Sequence, residues 1–250
     1  MIVIPMAGLS SRFKKAGYEL PKYMLTAHGK TLFSHSVLSF KHHFNKESFL
    51  FIALDVFGTK AFIEKECEGL GISNYQIVIL ERPTRGQAET VYLGVLNAKI
   101  ELDSELLIFN IDTFRPGFEW PTLFDRKDID GYLETFIGSG SNWSNVLPAD
   151  DQLQTVQLSA EKQGISEYCC TGLYYWRFCS DFCRVFKNYL SKSLGEVQGG
   201  EYYIAPMYNS LIKEGKDIRY TVVNSNEVIM CGVPDEYTDL LKKPSNFLSK

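Results

Sequence analysis

Runs of apolar residues that are typical of buried strands alternate with helical patterns from the first residue of this chain. The strand candidates are rich in β-branched and aromatic residues and are bounded by turn residues, and patterns with helical period lie between most of them. The predicted strands are 2–6, 49–56, 76–80, 106–111, 132–137, 170–176 and 218–223, and the predicted helices are 32–44, 60–70, 88–99, 178–190, 202–214 and 235–241.

This alternation predicts an α/β fold with a mixed, mostly parallel central sheet that is sandwiched by helices. A length of 250 residues fits one large domain, and we expect a single domain over 1–250. The Gly- and Ser-rich stretch 138–145 is the best candidate for a loop, and it is too short to divide the chain.

The sequence argues against a membrane protein and against a secreted protein. No apolar run approaches the roughly 20 residues that a membrane span needs. A predicted strand starts at the N-terminus without a charged leader, so we expect no secretory signal. The six cysteines form no CxxC pair and indicate reduced thiols. We therefore expect a cytoplasmic protein without a membrane partner.

Positive charge is concentrated in one short stretch. The chain has a net charge of −4, yet residues 1–30 carry +4 and the other 220 residues carry −8. A local excess of positive charge on an acidic protein predicts one compact anionic ligand. A nucleic acid would require a broad basic face, so we expect no nucleic-acid partner.

The basic stretch surrounds a Gly-Leu-Ser-Ser turn after the first predicted strand. Gly8 permits a tight turn, and the N–H groups of residues 8–12 can then cradle phosphate oxygens with the hydroxyls of Ser10 and Ser11. Arg12 and Lys22 would supply charge to a triphosphate. The pattern is neither a P-loop nor a Rossmann fingerprint. The alternative is an ordinary strand–helix turn with solvated lysines.

Three polar stretches follow predicted strands. GLSSR follows the first, RPTRGQ follows the third, and NIDTF closes the fourth. Because ligands bind beyond the carboxyl ends of the strands in such sheets, we expect these stretches to converge at one edge.

Several motifs together resemble one family. MAGLSSRF…PKYML resembles the Gly-x-x-x-Arg…Pro-Lys loop of the nucleotidyltransferases (pyrophosphorylases) that make nucleotide sugars and related metabolites. RPTRGQAETV resembles their nucleotide-binding segment, and FNIDTF resembles their strand that ends in a metal-binding Asp. AEKQGISEYCCTGLYYW, GGEYYIAPMYNSLI and MCGVPDEY resemble later elements of the family. Six matches in order imply that 1–250 is one nucleotidyltransferase domain.

The resemblance implies a role for each matched residue. Arg12 and Lys22 would be catalytic and meet the reacting phosphates, and Asp112 would hold Mg²⁺. The residues implied in nucleotide binding are Ala7, Gly8, Leu9, Ser10, Ser11, Glu81, Gly86 and Gln87. The residues implied in acceptor binding are Glu161, Lys162, Gly172 and Glu201.

Two positions depart from the family pattern. Met230 stands where the family has a second metal-binding carboxylate, so either one carboxylate suffices or another acid replaces it. The candidate replacements are Glu201, Glu227 and Asp235. Gln87 stands in place of the usual Thr.

The implied reaction is attack by a phosphate oxygen of the acceptor on the α-phosphorus of an NTP, with release of pyrophosphate. A phosphate monoester is largely dianionic at neutral pH, because its second pKa is about 6, so no general base is required. This agrees with the four histidines, none of which has the neighbours of a catalytic triad. Mg²⁺ would neutralise phosphate charge.

Glu81 bears on the choice of base. It lies five residues before Gly86, where the family commonly has a Gln that contacts a pyrimidine edge. A carboxylate only accepts hydrogen bonds, so it suits the exocyclic amine of cytosine and repels O4 of uracil or thymine. This favours CTP, although guanine is also compatible and Glu81 can instead be a solvated strand end.

The opening loop also resembles cytidylyltransferases of bacterial capsule synthesis that act on phosphoglutamine. The expected acceptor is therefore a sugar phosphate or a phosphoglutamine-like metabolite, used for surface polysaccharide.

Two other functions are open. A nucleotide-sugar-dependent glycosyltransferase of the related fold would also place an Asp at a strand end, but it normally has Asp-x-Asp where this chain has Asn110-Ile111-Asp112. A non-catalytic nucleotide-binding homologue is suggested by Met230.

Overall fold

The computed structural model describes residues 1–140 and 142–248, in which a central sheet is packed between helices. The strands are β1 (Ile2–Pro5), β2 (Thr26–Ala27), β3 (Lys30–Thr31), β4 (Phe49–Leu54), β5 (Tyr75–Leu80), β6 (Leu106–Phe109), β7 (Thr113–Phe114), β8 (Gly131–Ile137), β9 (Ser144–Asp150), β10 (Thr155–Glu161), β11 (Tyr168–Trp176), β12 (Ile218–Val223) and β13 (Ile229–Met230).

The α-helices are α1 (Ser11–Lys15), α2 (Leu32–Val37), α3 (Thr59–Leu70), α4 (Gln87–Asn97), α5 (Cys179–Tyr189), α6 (Tyr208–Lys213) and α7 (Pro234–Lys242). The 3₁₀ helices are Lys22–Met24, Leu38–His43, Gln198–Gly200, Ala205–Met207, Ser225–Glu227 and Ser245–Leu248.

The central sheet is mixed, as the sequence predicts. Among the described residues it has nine strands, in the order β5-β4-β1-β6-β11-β8-β12-β10-β9. Neighbours are parallel from β5 to β6 and between β8 and β12. Every antiparallel pairing in this sheet involves β9, β10 or β11. The amino-terminal half of the chain therefore supplies a continuous parallel unit.

Both faces of this parallel unit are buried. In β4, Leu50, Ile52 and Leu54 contribute to the core on the face that α4 covers. Phe49, Phe51 and Ala53 contribute to the core on the opposite face, together with Ile63 and Cys67 of α3. Side chains on a strand alternate between faces, and burial of both faces explains why β4 is a continuous apolar run in the sequence.

Some predicted elements differ from those observed. The strands β9 and β10 were not predicted; the predicted loop 138–145 overlaps the start of β9 and contains Ser141, which lies outside the described residues. The predicted helix 32–44 is α2 followed by a 3₁₀ helix, and the predicted helix 202–214 begins only at Ala205. Residue 202 instead forms backbone hydrogen bonds with the loop before α4 and the start of that helix.

The cysteines are all buried free thiols, at positions 67, 169, 170, 179, 183 and 231. Of the helices in the part of the chain that is described, none is long and apolar enough to cross a membrane.

Candidate active site

A cleft of about 540 Å³ opens beyond the carboxyl ends of β1, β5 and β6. The three polar stretches that follow these strands lie together along its walls, and Gly200, Glu201 and Tyr203 line another side. Of the residues singled out in the sequence, those that line the cleft are Ala7, Gly8, Leu9, Ser10, Ser11, Arg12, Lys22, Gly86, Gln87, Asp112 and Glu201. The parallel topology explains the convergence, since it brings the ends of β1, β5 and β6 to the same edge.

The opening loop turns at Ser10 and not at Gly8. Ser10 has a left-handed conformation with φ of 52°, whereas Gly8 does not have a positive φ in the left-handed range. Oγ of Ser10 accepts a hydrogen bond of 3.2 Å from the backbone N–H of Lys22. This bond ties the loop to the Pro-Lys segment, and the guanidinium-bearing side chain of Arg12 lies exposed on the first turn of α1.

Lys22 and Asp112 form an ion pair at the floor of the cleft. Nζ of Lys22 donates a hydrogen bond to Oδ2 of Asp112, and the two side chains are 18% and 22% exposed. Burial alone would raise the pKa of Asp112, but the Lys22 ammonium and its hydrogen bond outweigh that effect and hold the pKa below its ordinary value. Asp112 is therefore a carboxylate at neutral pH.

Asp112 provides a suitable oxygen donor for a divalent cation. Within residues 1–140 and 142–248, no group of three or more His, Cys, Asp or Glu side chains is arranged to hold a metal ion. Mg²⁺ in nucleotide sites commonly takes one or two carboxylates and completes its shell with phosphate oxygens and water. An ionised carboxylate that faces a cleft lined by cationic side chains fits such a mixed site.

The acids considered as a second ligand lie in different places. Glu201 lines the cleft. Oε2 of Glu227 accepts the N–H of Asn224 at the start of a 3₁₀ helix, and its other oxygen lies 3.8 Å from Nη1 of Arg115. Asp235 is exposed on the first turn of α7. Of these three, only Glu201 shares the cleft with Asp112.

Met230 lies directly beside the strand that follows Asp112. It pairs with Thr113 in the two-stranded β7–β13 ribbon, and the next residue, Cys231, donates its N–H to the carbonyl of Asp112 at 2.8 Å. The sulfur of Met230 lies 3.7 Å from Oγ1 of Thr113, and Met230 is not among the residues that line the cleft.

Glu236 is an acid near Asp112 that the sequence did not single out. A Cβ on Gly232 would lie 3.0 Å from Oδ2 of Asp112 and 3.7 Å from Oε2 of Glu236, so both carboxylates approach this glycine. Oε2 of Glu236 accepts the N–H groups of Gly232 and Val233 at 2.7 and 3.1 Å. The available signal was its position as the third residue of a helix that begins with Pro234, a helix-capping pattern.

Gln87 and Gly172 are both linked to Asn110. Nε2 of Gln87 donates a hydrogen bond to Oδ1 of Asn110, whose side chain lines the cleft. Gly172 has φ of +95°, and a Cβ there would overlap the amide of Asn110. Gly172 therefore leaves room for Asn110 and does not itself line the cleft. From the sequence, Asn110 was noted only because it stands where the Asp-x-Asp motif of a glycosyltransferase has its first Asp.

Glu81 lies at the end of β5 with its side chain exposed, and it is not among the residues that line the cleft. The part of this segment that does line the cleft is 83–87.

Glu161 is the last residue of β10, and Lys162 follows it. Nζ of Lys162 donates a 2.7 Å hydrogen bond to the hydroxyl of Tyr203, which lines the cleft. Glu161 is buried and accepts a hydrogen bond from Oγ of Ser144. Burial raises the pKa of Glu161, and the Ser144 hydrogen bond and the charge of Lys162 only partly offset that effect. Tyr203 thus connects Lys162 to the cleft, and neither Glu161 nor Lys162 is among the residues that line it.

Comparison with solved structures gives a match of high identity. A nucleoside-diphosphate-sugar pyrophosphorylase from Vibrio cholerae RC9 is 48% identical, with 97% of this chain and 100% of that chain covered and a TM-score of 0.92. No protein-family model matches the chain, and no curated protein matches it.

Two more distant structures share the fold. An inositol-1-phosphate CTP transferase from T. maritima is 16% identical over 100% of this chain and 94% of that chain, with a TM-score of 0.71. A UDP-glucose pyrophosphorylase in its apo form is 13% identical over 96% of each chain, with a TM-score of 0.72. At these identities the likeness concerns the fold alone.

Proposed function

This chain belongs to the nucleoside-diphosphate-sugar pyrophosphorylase family, and on that basis we propose that it transfers a nucleoside monophosphate from an NTP to a phosphorylated small metabolite, with release of pyrophosphate. In this proposal the whole of 1–250 acts as one nucleotidyltransferase domain. The observation that carries it is the meeting of the Arg12 loop, the Lys22–Asp112 ion pair and the Gly86–Gln87 segment in one cleft.

The chemistry requires orientation and charge neutralisation more than proton transfer. A phosphate oxygen of the acceptor forms a bond to the α-phosphorus, and the bond from that phosphorus to the bridging oxygen of pyrophosphate breaks. Arg12 and Lys22 would meet the negative charge that builds on the phosphates, while backbone N–H groups of the opening loop would orient them. The dianionic acceptor phosphate needs no general base.

Asp112 is the residue that would hold Mg²⁺. When bound, the cation would neutralise phosphate charge. Lys22 would then have to exchange its contact with Asp112 for contacts with phosphate oxygens. The pair would thus supply both a carboxylate for the cation and an ammonium for the phosphates.

We propose CTP as the donor because of Glu81, which can accept a hydrogen bond from the exocyclic amine of cytosine but not from O4 of uracil. The exposed position of Glu81 means that the base would have to reach past residues 83–87. For the acceptor we propose a sugar phosphate or a phosphoglutamine-like metabolite, bound near Glu161, Lys162, Gly172 and Glu201 and destined for bacterial surface polysaccharide. The buried free thiols suit a cytoplasmic protein.

The test is to incubate the protein with Mg²⁺, one NTP (CTP, UTP, dTTP or GTP) and one acceptor (glucose 1-phosphate, inositol 1-phosphate or phosphoglutamine). The release of pyrophosphate is then measured for each combination. Release that depends on one acceptor and on Asp112 supports the proposal. Release of free nucleoside diphosphate from a nucleotide sugar would instead indicate a glycosyltransferase.

A non-catalytic nucleotide-binding protein is the second candidate, and it is favoured by Met230, which stands in place of a carboxylate and pairs with Thr113 next to Asp112. Such a protein would bind an NTP in calorimetry and release no pyrophosphate with any acceptor. Substitution of Met230 by Asp distinguishes a metal site that has lost its second carboxylate from one that has adapted to a single carboxylate. Restored turnover in Met230→Asp would indicate that the second carboxylate was lost.

A further inference from the structure

The nucleotide segment and the acceptor segment are joined by backbone pairing at Gly86 and Tyr202. The N–H of Tyr202 donates to the carbonyl of Arg85 at 2.9 Å, and the N–H of Ala88 donates to the carbonyl of Tyr202 at 2.8 Å. Two hydrogen bonds, one on each side of Gly86, thus hold residue 202 against the loop that precedes α4 and the start of that helix. These residues are more than 110 positions apart in the sequence.

Only glycine is compatible with this close approach. Gly86 has φ of 143° and ψ of 173°, a region that residues with a Cβ avoid. A Cβ on Gly86 would lie 2.5 Å from the backbone nitrogen of Tyr202 and 2.6 Å from its carbonyl oxygen. The atoms in the way belong to the backbone, so a rotamer change cannot relieve the overlap.

The side chain of Tyr202 anchors this pairing away from the cleft. Its ring packs on Phe186 and Tyr189 with centroid distances of 5.7 and 5.4 Å, and its hydroxyl donates to the carbonyl of Lys192 at 2.8 Å. The guanidinium of Arg85 lies 5.2 Å from the centroid of the ring. Tyr202 is therefore fixed to α5 on one side and to the nucleotide segment on the other.

The two residues that flank Tyr202 line the cleft. Glu201 and Tyr203 are both wall residues, and the N–H of Tyr203 donates to the carbonyl of Glu201 at 3.0 Å. Tyr203 in turn accepts the hydrogen bond from Lys162. The backbone of residue 202 therefore connects 83–87 to the side chains proposed to contact the acceptor.

We infer that the Gly86–Tyr202 pairing couples the two halves of the site, so that a nucleotide on 7–12 and 83–87 also restrains residues 200–204 beside the proposed acceptor. Gly86 acts in this as a positioning residue for the acceptor, although it belongs to the nucleotide segment. The inference rests on the proposed nucleotidyltransferase function. Coupling between sites is reciprocal and typically amounts to about 5- to 150-fold in affinity.

Amide hydrogen exchange of the full chain tests this without knowledge of the acceptor. The unmodified protein is measured with Mg²⁺ alone and with Mg²⁺ plus CTP, UTP or GTP. We expect the nucleotide that slows exchange in 7–12 to slow exchange in 200–204 by about 5-fold or more. Slowed exchange in 7–12 with unchanged exchange in 200–204 would overturn the coupling.

At a nucleotide concentration high enough to slow exchange in 7–12 of the Gly86→Ala variant, that variant should lose the slowed exchange in 200–204. Gly71→Ala is the matched control, because Gly71 has φ of 75° at the end of α3 and an added Cβ meets nothing within 4 Å. Tyr202→Phe is the second control; it removes the hydroxyl but not the backbone pairing, so coupling should persist.

The outcomes separate this inference from the function on which it rests. If none of the nucleotides slows exchange in 7–12 of the unmodified protein, the proposed function is overturned and the coupling with it. If Gly86→Ala does not fold, the exchange of the unmodified protein and of Tyr202→Phe decides. Coupling that survives Gly86→Ala in a folded variant would show that another path connects the segments and would overturn the role of Gly86.

Discussion

Lys22 and Asp112 are 90 residues apart in the sequence, and the Lys22 ammonium donates a hydrogen bond to the Asp112 carboxylate at the floor of the cleft. The contact compensates the charge of each partner where both are mostly withdrawn from water. It also means that a cation which binds Asp112 must compete with Lys22 unless phosphate oxygens draw the ammonium away. Metal binding and nucleotide binding should therefore be interdependent.

Substitution of Lys22 by Met should raise the affinity for Mn²⁺ in the absence of nucleotide, because the competing ammonium is gone. The expected gain is up to about 5-fold, the value of a modest ion pair. Turnover with Mg²⁺ and NTP should fall about 10²- to 10³-fold, because a charged contact to the reacting phosphates is lost. Mn²⁺ titration by electron paramagnetic resonance and steady-state kinetics measure the two effects. Lys65→Met on the exposed face of α3 is the control, and unchanged Mn²⁺ affinity in Lys22→Met would contradict the competition.

Substitution of Asp112 by Asn should abolish Mg²⁺-dependent turnover, because the amide keeps the size of the side chain but not the charge that a hard cation requires. Turnover is measured over a range of Mg²⁺ concentrations. Asp235→Asn, on the exposed first turn of α7, should behave like the unmodified protein. Activity of Asp112→Asn at ordinary Mg²⁺ concentrations would move the metal to another acid, with Glu201 the first to test.

Substitution of Arg12 by Ala should reduce turnover by about 10²- to 10³-fold and leave the thermal unfolding midpoint nearly unchanged. The guanidinium is exposed on α1, so its loss removes charge from the cleft and leaves the core intact. Kinetics and thermal unfolding of Arg12→Ala are compared with those of Lys15→Ala from the same helix. Near-normal kinetics in Arg12→Ala would rule out its proposed contact with phosphate.

Substitution of Glu81 by Gln should narrow the preference for CTP over UTP, because the amide offers a donor as well as an acceptor. A mismatch at a base edge is worth roughly 1–3 kcal/mol, about 5- to 150-fold in selectivity. The measurement is kcat/KM for CTP, UTP, dTTP and GTP with saturating acceptor in both proteins. If the unmodified protein uses CTP and UTP equally, or if selectivity does not respond to the substitution, Glu81 does not select the base.

Substitution of Glu161 by Gln should stabilise the protein at neutral pH. Burial raises the pKa of Glu161 in the folded state above its ordinary value of 4.5. The stability that this carboxyl contributes is therefore present when it is protonated, below about pH 4.5, and is lost as the pH rises through the raised folded pKa. The unfolding midpoint of Glu161→Gln should exceed that of the unmodified protein at pH 7, and the difference should vanish below about pH 4.5. Exposed Glu64→Gln is the control, and a difference that does not change with pH would refute the linkage.

The parallel half of the sheet was predictable from the sequence. The strands β1, β4 and β6 are almost entirely buried, so they are apolar runs that stand out between the helices, and the edge strand β5 is still mostly apolar. Their order along the chain also indicated where the loops after them would meet. In contrast, β9 and β10 form one edge of the sheet and are partly exposed, with polar residues and Pro148 among the apolar ones. Their pattern is weak for that reason.

The sequence by itself determined where the candidate phosphate-binding residues lie along the chain, since the basic loop after β1 and the acid after β6 are local features of composition and spacing. Only the tertiary structure decided how they are paired. The Lys22–Asp112 contact, the support of Asn110 by Gln87 and Gly172, and the pairing of Gly86 with Tyr202 join segments that are distant in the chain. Local propensity does not encode such contacts, because they exist only when the packing of the sheet and helices brings those segments within hydrogen-bond distance.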